Sequence, residues 1–517
     1  MHLITYSITR FADHTRMQNE DFSLVSDMKT VRIAVEGCCH GQLNKIYLSL
    51  PKNVDLLVIC GDFQAIRNQQ DLKSMNVPRK YLEMGDFPLY YLGRKKAPVT
   101  TIFIGGNHES SLYMRELQYG GWVAPNIYYL GEYGTVWYKG VRILGISGIY
   151  NPQSFFGAKS DRAPKYTLPY DNSTIRSIYH VKPKNFLKLL LSGPADIVLS
   201  HDWPKGIWEW GDAGKLLKKK PFLKADIENG RLGSPLASEA LKILRPANWF
   251  SLHMHTFFEA TVKHENPQEL GDLRGDLEIN EPKRRKLETE EVKKDDLNEI
   301  PLDMDDMDDI GDTSLDPATS LQESSPTEAP RSHISDTSPN GNKDLENTNP
   351  GNPSSMKNQE ILVSLAKSPS PEACADSSET YFMALDKCLP KRNFLSVKLV
   401  KVHPSHHSFK AKHLYHDSRA IAINKVVENL VRSPNWASVS AQDMHEPEKI
   451  DDLLKELNEA VEFEMKKISG NLRVPTNFKQ VAPDVKVQTV PLQYWPNNQT
   501  KEYCEQWGVP EPDLEGE

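Results

Sequence analysis

Residues 37–41, Gly-Cys-Cys-His-Gly, constrain the fold more than any other part of the sequence. They follow an apolar stretch, residues 31–35, which predicts a buried strand. Successive side chains on a strand point to opposite faces, so Cys38 and His40 are expected to point the same way at its carboxyl end. Open α/β sheets bind their ligands at that end of their strands. The run therefore predicts half of a metal site.

Four later stretches repeat this arrangement of polar residues after an apolar run. They are Gly61-Asp62, residues 105–109 (Gly-Gly-Asn-His-Glu), residues 200–202 (Ser-His-Asp) and residues 253–255 (His-Met-His). One such cluster alone is more often a packed side chain or a helix cap, but packing does not require five of them. Together they supply the thiolate, imidazole, amide and carboxylate donors that divalent transition metals accept. The set predicts a two-metal hydrolase.

The order of these clusters resembles that of the calcineurin-like metallophosphoesterases. The resemblance departs from the family pattern at two positions: Cys38 stands where most members have Asp, and Leu252 stands where Gly is usual. Within that superfamily the sequence looks like the lariat RNA debranching enzymes. The runs that carry this narrower resemblance are residues 37–41, 60–65, 119–126, 172–180, 199–204 and 385–390. It covers roughly residues 31–260 and 380–510.

The resemblance implies a role for each matching residue. One metal ion would be held by Cys38, His40, Asp62 and His255, and the other by Asp62, Asn107, His201 and His253, so that Asp62 bridges them. The catalytic residue would be His108, donating a proton to the leaving oxygen, with Glu109 orienting it. Arg176 and His180 lie in the branch-specific run, where they are expected either to contact a phosphate or base of the substrate or to have an ordinary role on a helix surface. A thiolate ligand favours softer ions such as Zn²⁺ or Fe²⁺ over Mg²⁺. The expected cofactors are two divalent metal ions, Fe²⁺, Zn²⁺ or Mn²⁺.

The implied reaction is hydrolysis of the 2′,5′-phosphodiester at the branch point of excised intron lariat RNA, with a metal-activated water as nucleophile. Two alternatives remain at this stage. A phosphomonoesterase, a protein phosphatase or a general phosphodiesterase of the same fold would share every ligand. A metal-free scaffold would be expected to have lost ligand positions, and none of the six ligand positions other than Cys38 is lost.

Composition divides the chain into four predicted segments. Residues 1–30 are an N-terminal extension without a signal peptide, expected to be disordered, with a mitochondrial presequence as the alternative. Residues 31–265 form the catalytic domain, a layered α/β β-sandwich flanked by helices. Residues 266–375 are an acidic, Ser- and Pro-rich insertion that cannot bury enough apolar surface to become ordered. Residues 376–517 form a smaller C-terminal domain.

Charge and composition also bound the location and partners. The net charge of −8 gives no global basic field, so any RNA contact must be local. Six cysteines without framework spacing fit a reducing compartment, and no apolar run is long enough for a membrane span. Residues 283–286, Lys-Arg-Arg-Lys, are either a nuclear localisation signal or a solvated charge cluster. We expect a nuclear protein, with the cytoplasm as a second compartment, whose linker contacts spliceosomal or intron-turnover proteins.

Local patterns predict several elements. A hairpin should join residues 135–138 to 141–146, and a helix capped by Ser234 should end before Pro246. Residues 148–170 lack periodicity and predict a long binding loop. Strands are expected at residues 381–385 and 394–400, and a surface helix at residues 450–468.

Overall fold

The computed structural model describes residues 30–157, 166–264, 377–439, 447–483 and 491–514. Apart from Thr30, the predicted N-terminal extension lies outside these residues, as does the whole 266–375 insertion. The proposals made for those two segments stay predictions. Among the described residues, none of the helices combines the length and the hydropathy that crossing a bilayer requires.

Thirteen strands are described, and they form two sheets. The strands are β1 (Thr30–Glu36), β2 (Leu56–Ile59), β3 (Thr100–Phe103), β4 (Gly121–Ala124), β5 (Ile127–Tyr129), β6 (Tyr133–Tyr138), β7 (Val141–Ile146), β8 (Ile197–Ser200), β9 (Asn248–Ser251), β10 (Phe258–Lys263), β11 (Glu379–Ala384), β12 (Leu395–Lys401) and β13 (Leu414–His416). The first sheet has the order β12-β1-β2-β3-β5-β4, and the second β10-β11-β9-β8-β7-β6-β13.

The helices cover the outer faces and the ends of the sheets. They are α1 (Leu43–Ser49), α2 (Gln69–Leu72), α3 (Phe87–Tyr91), α4 (Ser111–Glu116), α5 (Pro152–Gly157), α6 (Thr174–Ser177), α7 (Pro183–Leu190), α8 (Ala213–Lys219), α9 (Leu223–Glu228), α10 (Pro235–Leu244), α11 (Ser418–Val431), α12 (Pro447–Met465) and α13 (Asn498–Trp507). Short 3₁₀ helices occupy Arg79–Tyr81, Ile207–Trp210 and Pro434–Ser438.

The two sheets pack face to face around one apolar layer. Val35 and Val58 of the first sheet belong to the same buried cluster as Leu199 and Phe250 of the second. The opposite face of the first sheet buries a second cluster against helices, with Leu57 beside Leu43 and Phe87. Strands buried on both faces read as continuous apolar runs, which is why residues 31–35 and 54–60 were recognisable. The predicted β-sandwich flanked by helices is confirmed.

Strands from the C-terminal part of the chain complete both sheets. β12 pairs antiparallel with β1 along its whole length, and β11 lies inside the second sheet, parallel to β9 and antiparallel to β10. β13 pairs with β6 at the far edge. The domain boundary predicted near residue 376 stays a prediction, because the strands on either side of it share the same sheets.

Most of the predicted elements are present. The hairpin pairs Tyr138 with Val141, and Ser234 caps α10 by accepting a hydrogen bond from the Ala237 N–H at 3.2 Å. β11, β12 and α12 overlap the segments predicted after residue 380. α12 packs on α11 and buries Ile450, Leu454, Leu457 and Val461, as its apolar stripe predicts.

The prediction of an irregular loop over residues 148–170 is wrong in its first part. α5 begins at Pro152, and the Asn151 side chain accepts a hydrogen bond from the Ser154 N–H at 3.0 Å. Asn at the N-cap followed by Pro at the first helical position is a start signal. The helix has only six residues, so its sequence shows no hydrophobic periodicity from which a helix could be predicted. Residues 158–165 lie outside the described residues.

The first testable prediction concerns β11. Phe382 is 0 % exposed, and its ring lies 5.5 Å from that of Trp203 and 6.4 Å from that of Phe258, measured between centroids. Phe382→Ala should lower the free energy of unfolding by about 3–5 kcal/mol, because it leaves a cavity beside the buried rings of Trp203 and Phe258. Urea denaturation measures this.

The matched control is Leu399→Ala on β12, whose side chain is 44 % exposed. It should cost less than about 1 kcal/mol, since it removes little buried area. Equal losses for the two variants would contradict the internal position of β11.

Candidate metal centre

The loops that follow five strands meet at one edge of the two sheets. Each loop follows a parallel strand, and parallel strands bring their carboxyl ends to the same edge. Cys38 and His40 follow β1, Asp62 follows β2, Asn107 and His108 follow β3, His201 follows β8, and His253 and His255 follow β9. The residues predicted from five separate stretches are therefore neighbours in space.

Four of these residues form a compact group. One donor atom from each of Cys38, His40, Asp62 and His255 lies within 4.8 Å of the donor atoms of the others. The His40 and His255 Nε2 atoms are 3.1 Å apart, and His40 Nε2 is 3.7 Å from Asp62 Oδ2. Two imidazoles, a carboxylate and a thiol converging in this way fit a transition metal ion. This group is the first predicted ligand set.

The second predicted set is only partly assembled. His201 Nε2 lies 3.4 Å from Asp62 Oδ1 and 3.1 Å from Asn107 Oδ1, so these three residues converge as predicted. The His253 ring is 5.0 Å from the His201 ring between centroids, but its Nε2 atom is 3.9 Å from Asp202 Oδ1. The ligand roles in this set stay predictions.

Asp62 lies between the two sets. Its carboxylate is within 3.7 Å of His40, His108 and His201, and it accepts a hydrogen bond from the His108 backbone N–H at 3.0 Å. Burial alone would raise the pKa of this carboxyl, but the neighbouring histidines outweigh burial and hold it well below its usual range. Asp62 is therefore a buried carboxylate that stays charged, as a bridging ligand must.

The backbone at the centre is in a conformation that L-residues rarely adopt. His40, Asp62, His253 and His255 have φ values of 41°, 47°, 61° and 46°. A non-glycine residue in the left-handed region is strained, and such residues persist where the surrounding structure holds them. The two sheets hold these turns, which aim the side chains back over the strand ends.

Two glycines are required by close packing around the ligands. A Cβ atom on Gly61 would overlap the His201 ring, and one on Gly106 would overlap the Asp62 carboxylate. Gly61 also has a φ of 124°. The glycines that precede Asp62 and Asn107 in the sequence are therefore part of the site.

His108 lies where a proton donor or acceptor is needed. Its Nδ1 is 3.2 Å from Asp62 Oδ2, and its ring centroid is 5.6 Å from that of His40. The imidazole is thus next to the central carboxylate and beside the compact ligand group. Its catalytic role stays a prediction.

Glu109 holds the loops together. Its carboxylate accepts hydrogen bonds from the backbone N–H groups of Phe63 and Gln64, at 2.6 and 2.9 Å, and from that of Gly106 at 3.4 Å. Burial, together with the charge of Asp62, raises its pKa to about 8. Its contacts fix the loop after β2 against the loop after β3, a function that the sequence analysis did not assign to it.

Two supporting carboxylates were also missed. Asp202 accepts a hydrogen bond from the Tyr150 N–H at 2.6 Å and lies next to His253, and burial raises its pKa to about 7. A carboxylate beside a metal-binding histidine orients the ring. The sequence contained this signal, since Asp202 directly follows His201 at a strand end.

Asp386 connects the C-terminal segment to the site. Its carboxylate accepts hydrogen bonds from the backbone N–H groups of Phe257 at 2.9 Å and Asn393 at 2.8 Å, and pairs with Lys219 Nζ at 2.7 Å. Phe257 is two residues after His255. A Cβ on Gly37 would overlap the Asp386 carbonyl. Asp386 thus fixes the loops that carry Cys38 and His255.

The two predicted substrate residues lie outside the compact group. His180 is buried, and its Nδ1 is 2.7 Å from Ser154 Oγ. It lines a small, open cleft together with Gly106 and Glu109. Arg176 is exposed on α6. Their substrate roles stay predictions.

Two family models match the chain. The calcineurin-like phosphoesterase model matches residues 31–224, and the model of the lariat debranching enzyme C-terminal domain matches residues 377–512. Residues 31–224 are thus similar to calcineurin-like phosphoesterases, and residues 377–512 are similar to the C-terminal domain of lariat debranching enzymes. This confirms the resemblance, and it implies that the site binds divalent metal ions.

Curated relatives agree with this assignment. The chain is 52% identical over 250 residues to the lariat debranching enzyme of Drosophila melanogaster, an alignment that covers 47% of the chain and 46% of the relative. It is 53% identical over 243 residues to that of Homo sapiens, covering 46% and 44%, and 49% identical over 244 residues to that of Arabidopsis thaliana, covering 46% and 57%. The alignments thus span about half the length of the relatives.

The second prediction separates ligand from catalyst in this debranching-type site. Asp62→Asn keeps the side-chain size but removes the charge, so the purified protein should lose most of its bound metal. His108→Ala should keep it, because His108 lies beside Asp62 and is not one of the predicted ligands. Elemental analysis of metal per protein chain measures both.

Circular dichroism and the melting temperature of each variant control for misfolding. A folded His108→Ala protein without metal would show that His108 is a ligand or a support for one. Full metal content in Asp62→Asn would exclude Asp62 as the bridging residue.

Proposed function

We propose that this protein hydrolyses the 2′,5′-phosphodiester bond at the branch point of excised intron lariat RNA, so that the intron becomes linear and can be degraded. The observation that carries the proposal is the joining of two parts: a phosphoesterase ligand group, and a debranching-type C-terminal segment whose Asp386 fixes the ligand loops. A general phosphoesterase site does not need such a segment.

We further propose that two divalent ions occupy the site. Cys38, His40, Asp62 and His255 would hold one, and Asp62, Asn107, His201 and His253 the other. The ions would supply a nucleophile by lowering the pKa of water, and would neutralise charge on the phosphoryl oxygens.

The residues of the chain supply the rest of the chemistry. Asp62 is held charged between three imidazoles, so it is available as a ligand throughout the physiological pH range. His108, 3.2 Å from Asp62, gives a proton to the 2′-oxygen as it leaves. Glu109 holds the loop after β2 against the loop after β3, and Asp202 Oδ1 lies 3.9 Å from His253 Nε2, where it would orient that ring on metal binding.

The nucleus is the proposed compartment, with the cytoplasm as a second one. Intron lariats arise from splicing, and residues 283–286 offer a basic run of the kind that directs nuclear import. The acidic insertion would contact spliceosomal or intron-turnover proteins.

The third prediction tests the thiolate ligand. Cys38→Asp restores the donor usual in the superfamily, so activity with Mn²⁺ should hold or rise while activity with Zn²⁺ falls. Cys38→Ser should be worse with both metals, because a hydroxyl is a poor ligand at neutral pH. Activity is measured after metal removal and titration with each ion.

All these side chains are small, so the strand end stays in place. If Cys38→Ala, Cys38→Ser and Cys38→Asp behave alike with every metal, Cys38 only fills space beside His40. Metal content measured on the same samples distinguishes weak binding from slow turnover.

The fourth prediction tests the reaction itself. The purified protein should cleave a branched RNA at the 2′,5′ linkage, and leave a linear 3′,5′ RNA of the same length and a phosphomonoester intact. Product analysis should find a free 2′-hydroxyl. Asp62→Asn provides the inactive control.

Each alternative has its own outcome in this assay. Equal rates on branched and linear RNA would indicate a general phosphodiesterase. Cleavage of the monoester alone would indicate a phosphatase. If the metal-loaded protein cleaves none of these substrates, the result would indicate a non-catalytic scaffold.

A further inference from the structure

We infer that a basic surface beside the metal centre binds the single-stranded RNA that extends from the cleaved linkage. We call it the Trp210 surface and define it by Lys205, Trp210, Lys215 and Lys218. The inference rests on the proposed function, because it assigns a position to the RNA of that same substrate.

The segment that carries this surface has a charge opposite to that of the chain. Residues 205–231 contain seven lysine or arginine residues and four acidic ones, an excess of three positive charges, whereas the whole chain has a net charge of −8. Lys205 and Lys218 are exposed, and among the described residues neither forms an ion pair. Their charge is therefore available to a phosphate backbone.

Trp210 adds an aromatic platform. It ends the 3₁₀ helix Ile207–Trp210, which is anchored by the buried Ile207 and Trp208. The Trp210 side chain is 47 % exposed, and within the described part of the chain its indole makes no hydrogen bond or ring contact. A large exposed indole held on a rigid turn loses little entropy when a base stacks on it.

The lysines of α8 are arranged on one side of the helix. Leu216 and Lys220 are buried, four residues apart, whereas Lys215 and Lys218 are exposed. Residues three or four apart share a helix face, so Lys215, Lys218 and Lys219 form a continuous row beside the buried face. Lys219 lies at the end of that row where α8 contacts Asp386.

Two connections join this surface to the metal centre. Lys205 is four residues after His201, on the loop that leaves β8. Lys219 pairs with Asp386, which also holds the Phe257 N–H, two residues after His255. The segment that carries the lysines is therefore connected at both of these points to loops that carry predicted metal ligands.

Exposed lysines together with an exposed indole favour single-stranded RNA, rather than an acidic protein, as the ligand of this surface. Sequence-independent binding of single strands uses positive charge along the backbone and aromatic side chains under the bases. An acidic peptide would use the lysines but would have no base to stack on Trp210. The effect of the indole is thus the distinguishing measurement.

The fifth prediction is a binding experiment. A short, unstructured, fluorescent linear RNA is titrated with the full chain, and anisotropy is followed at several salt concentrations. Trp210→Ala/Lys218→Ala should weaken binding by about tenfold or more, because one stacking contact and one phosphate contact are lost. The slope of log affinity against log salt should fall by about 0.7 for the lost phosphate contact.

The chain offers a matched control at the end of α12. Phe463 of α12 is 62 % exposed, and the exposed Lys466 directly follows that helix. Phe463→Ala/Lys466→Ala removes the same kinds of side chain at the end of a helix that packs on α11, and should leave RNA affinity unchanged. Trp210→Phe/Lys218→Arg should restore most of the affinity, since it keeps a ring and a charge.

The test does not depend on debranching, because linear RNA carries no 2′,5′ bond. If Trp210→Ala/Lys218→Ala weakens binding of linear RNA but the unmodified protein has no debranching activity, the surface is supported and the proposed function is rejected. Unchanged binding in Trp210→Ala/Lys218→Ala would overturn the surface even in an active enzyme. Competition by polyglutamate that is insensitive to Trp210→Ala would also overturn it, in favour of an acidic protein.

Discussion

The site depends on one buried carboxylate that must remain charged. Asp62 is surrounded by imidazoles and by the His108 N–H, and burying it without them would favour its neutral form. Close approach to this carboxylate requires glycine at position 106, where a side chain would occupy the same space. The left-handed turns at His40, Asp62 and His255 follow from the same requirement, since their side chains must turn back towards one point.

The metal centre and the fold are stabilised by the same long-range contacts. β11 and β12 are separated from their partner strands by the 265–376 stretch of sequence, yet they complete both sheets and bring Asp386 beside the ligand loops. Loop closure entropy grows only slowly with length, so an insertion of this size is tolerated where the paired strands bury enough surface. A change in the C-terminal segment can therefore alter metal binding without touching a ligand.

The sequence was sufficient for the local features and insufficient for the long-range ones. The strand ends, the hairpin and α10 carry short signals of hydrophobicity, turn residues and capping, and the structure has them where predicted. The position of β11 inside the second sheet could not be read from its sequence, because strand order depends on pairing between distant residues. Glu109, Asp202 and Asp386 act through backbone N–H groups, and such partners are invisible until the loops are placed. The sequence predicted a metal-ligand role for both His253 and His255. In the structure His255 belongs to the compact ligand group, whereas His253 lies beside Asp202.

The charge distribution is compatible with the polyanionic substrate that we propose for this acidic chain. At physiological ionic strength the Debye length is about 8 Å, so exposed charges farther away are largely screened. A proposed RNA strand near the metal centre would therefore respond mainly to the charges of residues 205–219, where four lysines outnumber Glu209 and Asp212, and hardly to the acidic residues elsewhere in the chain. Lys219 is a special case, because its charge is paired with Asp386 and contributes to holding the His255 loop. On the same short helix Lys215 pairs with the exposed Asp212 at 3.0 Å, whereas Lys218 forms no ion pair among the described residues. Position along the helix thus separates a lysine that supports the metal ligands from the lysine proposed to contact phosphate.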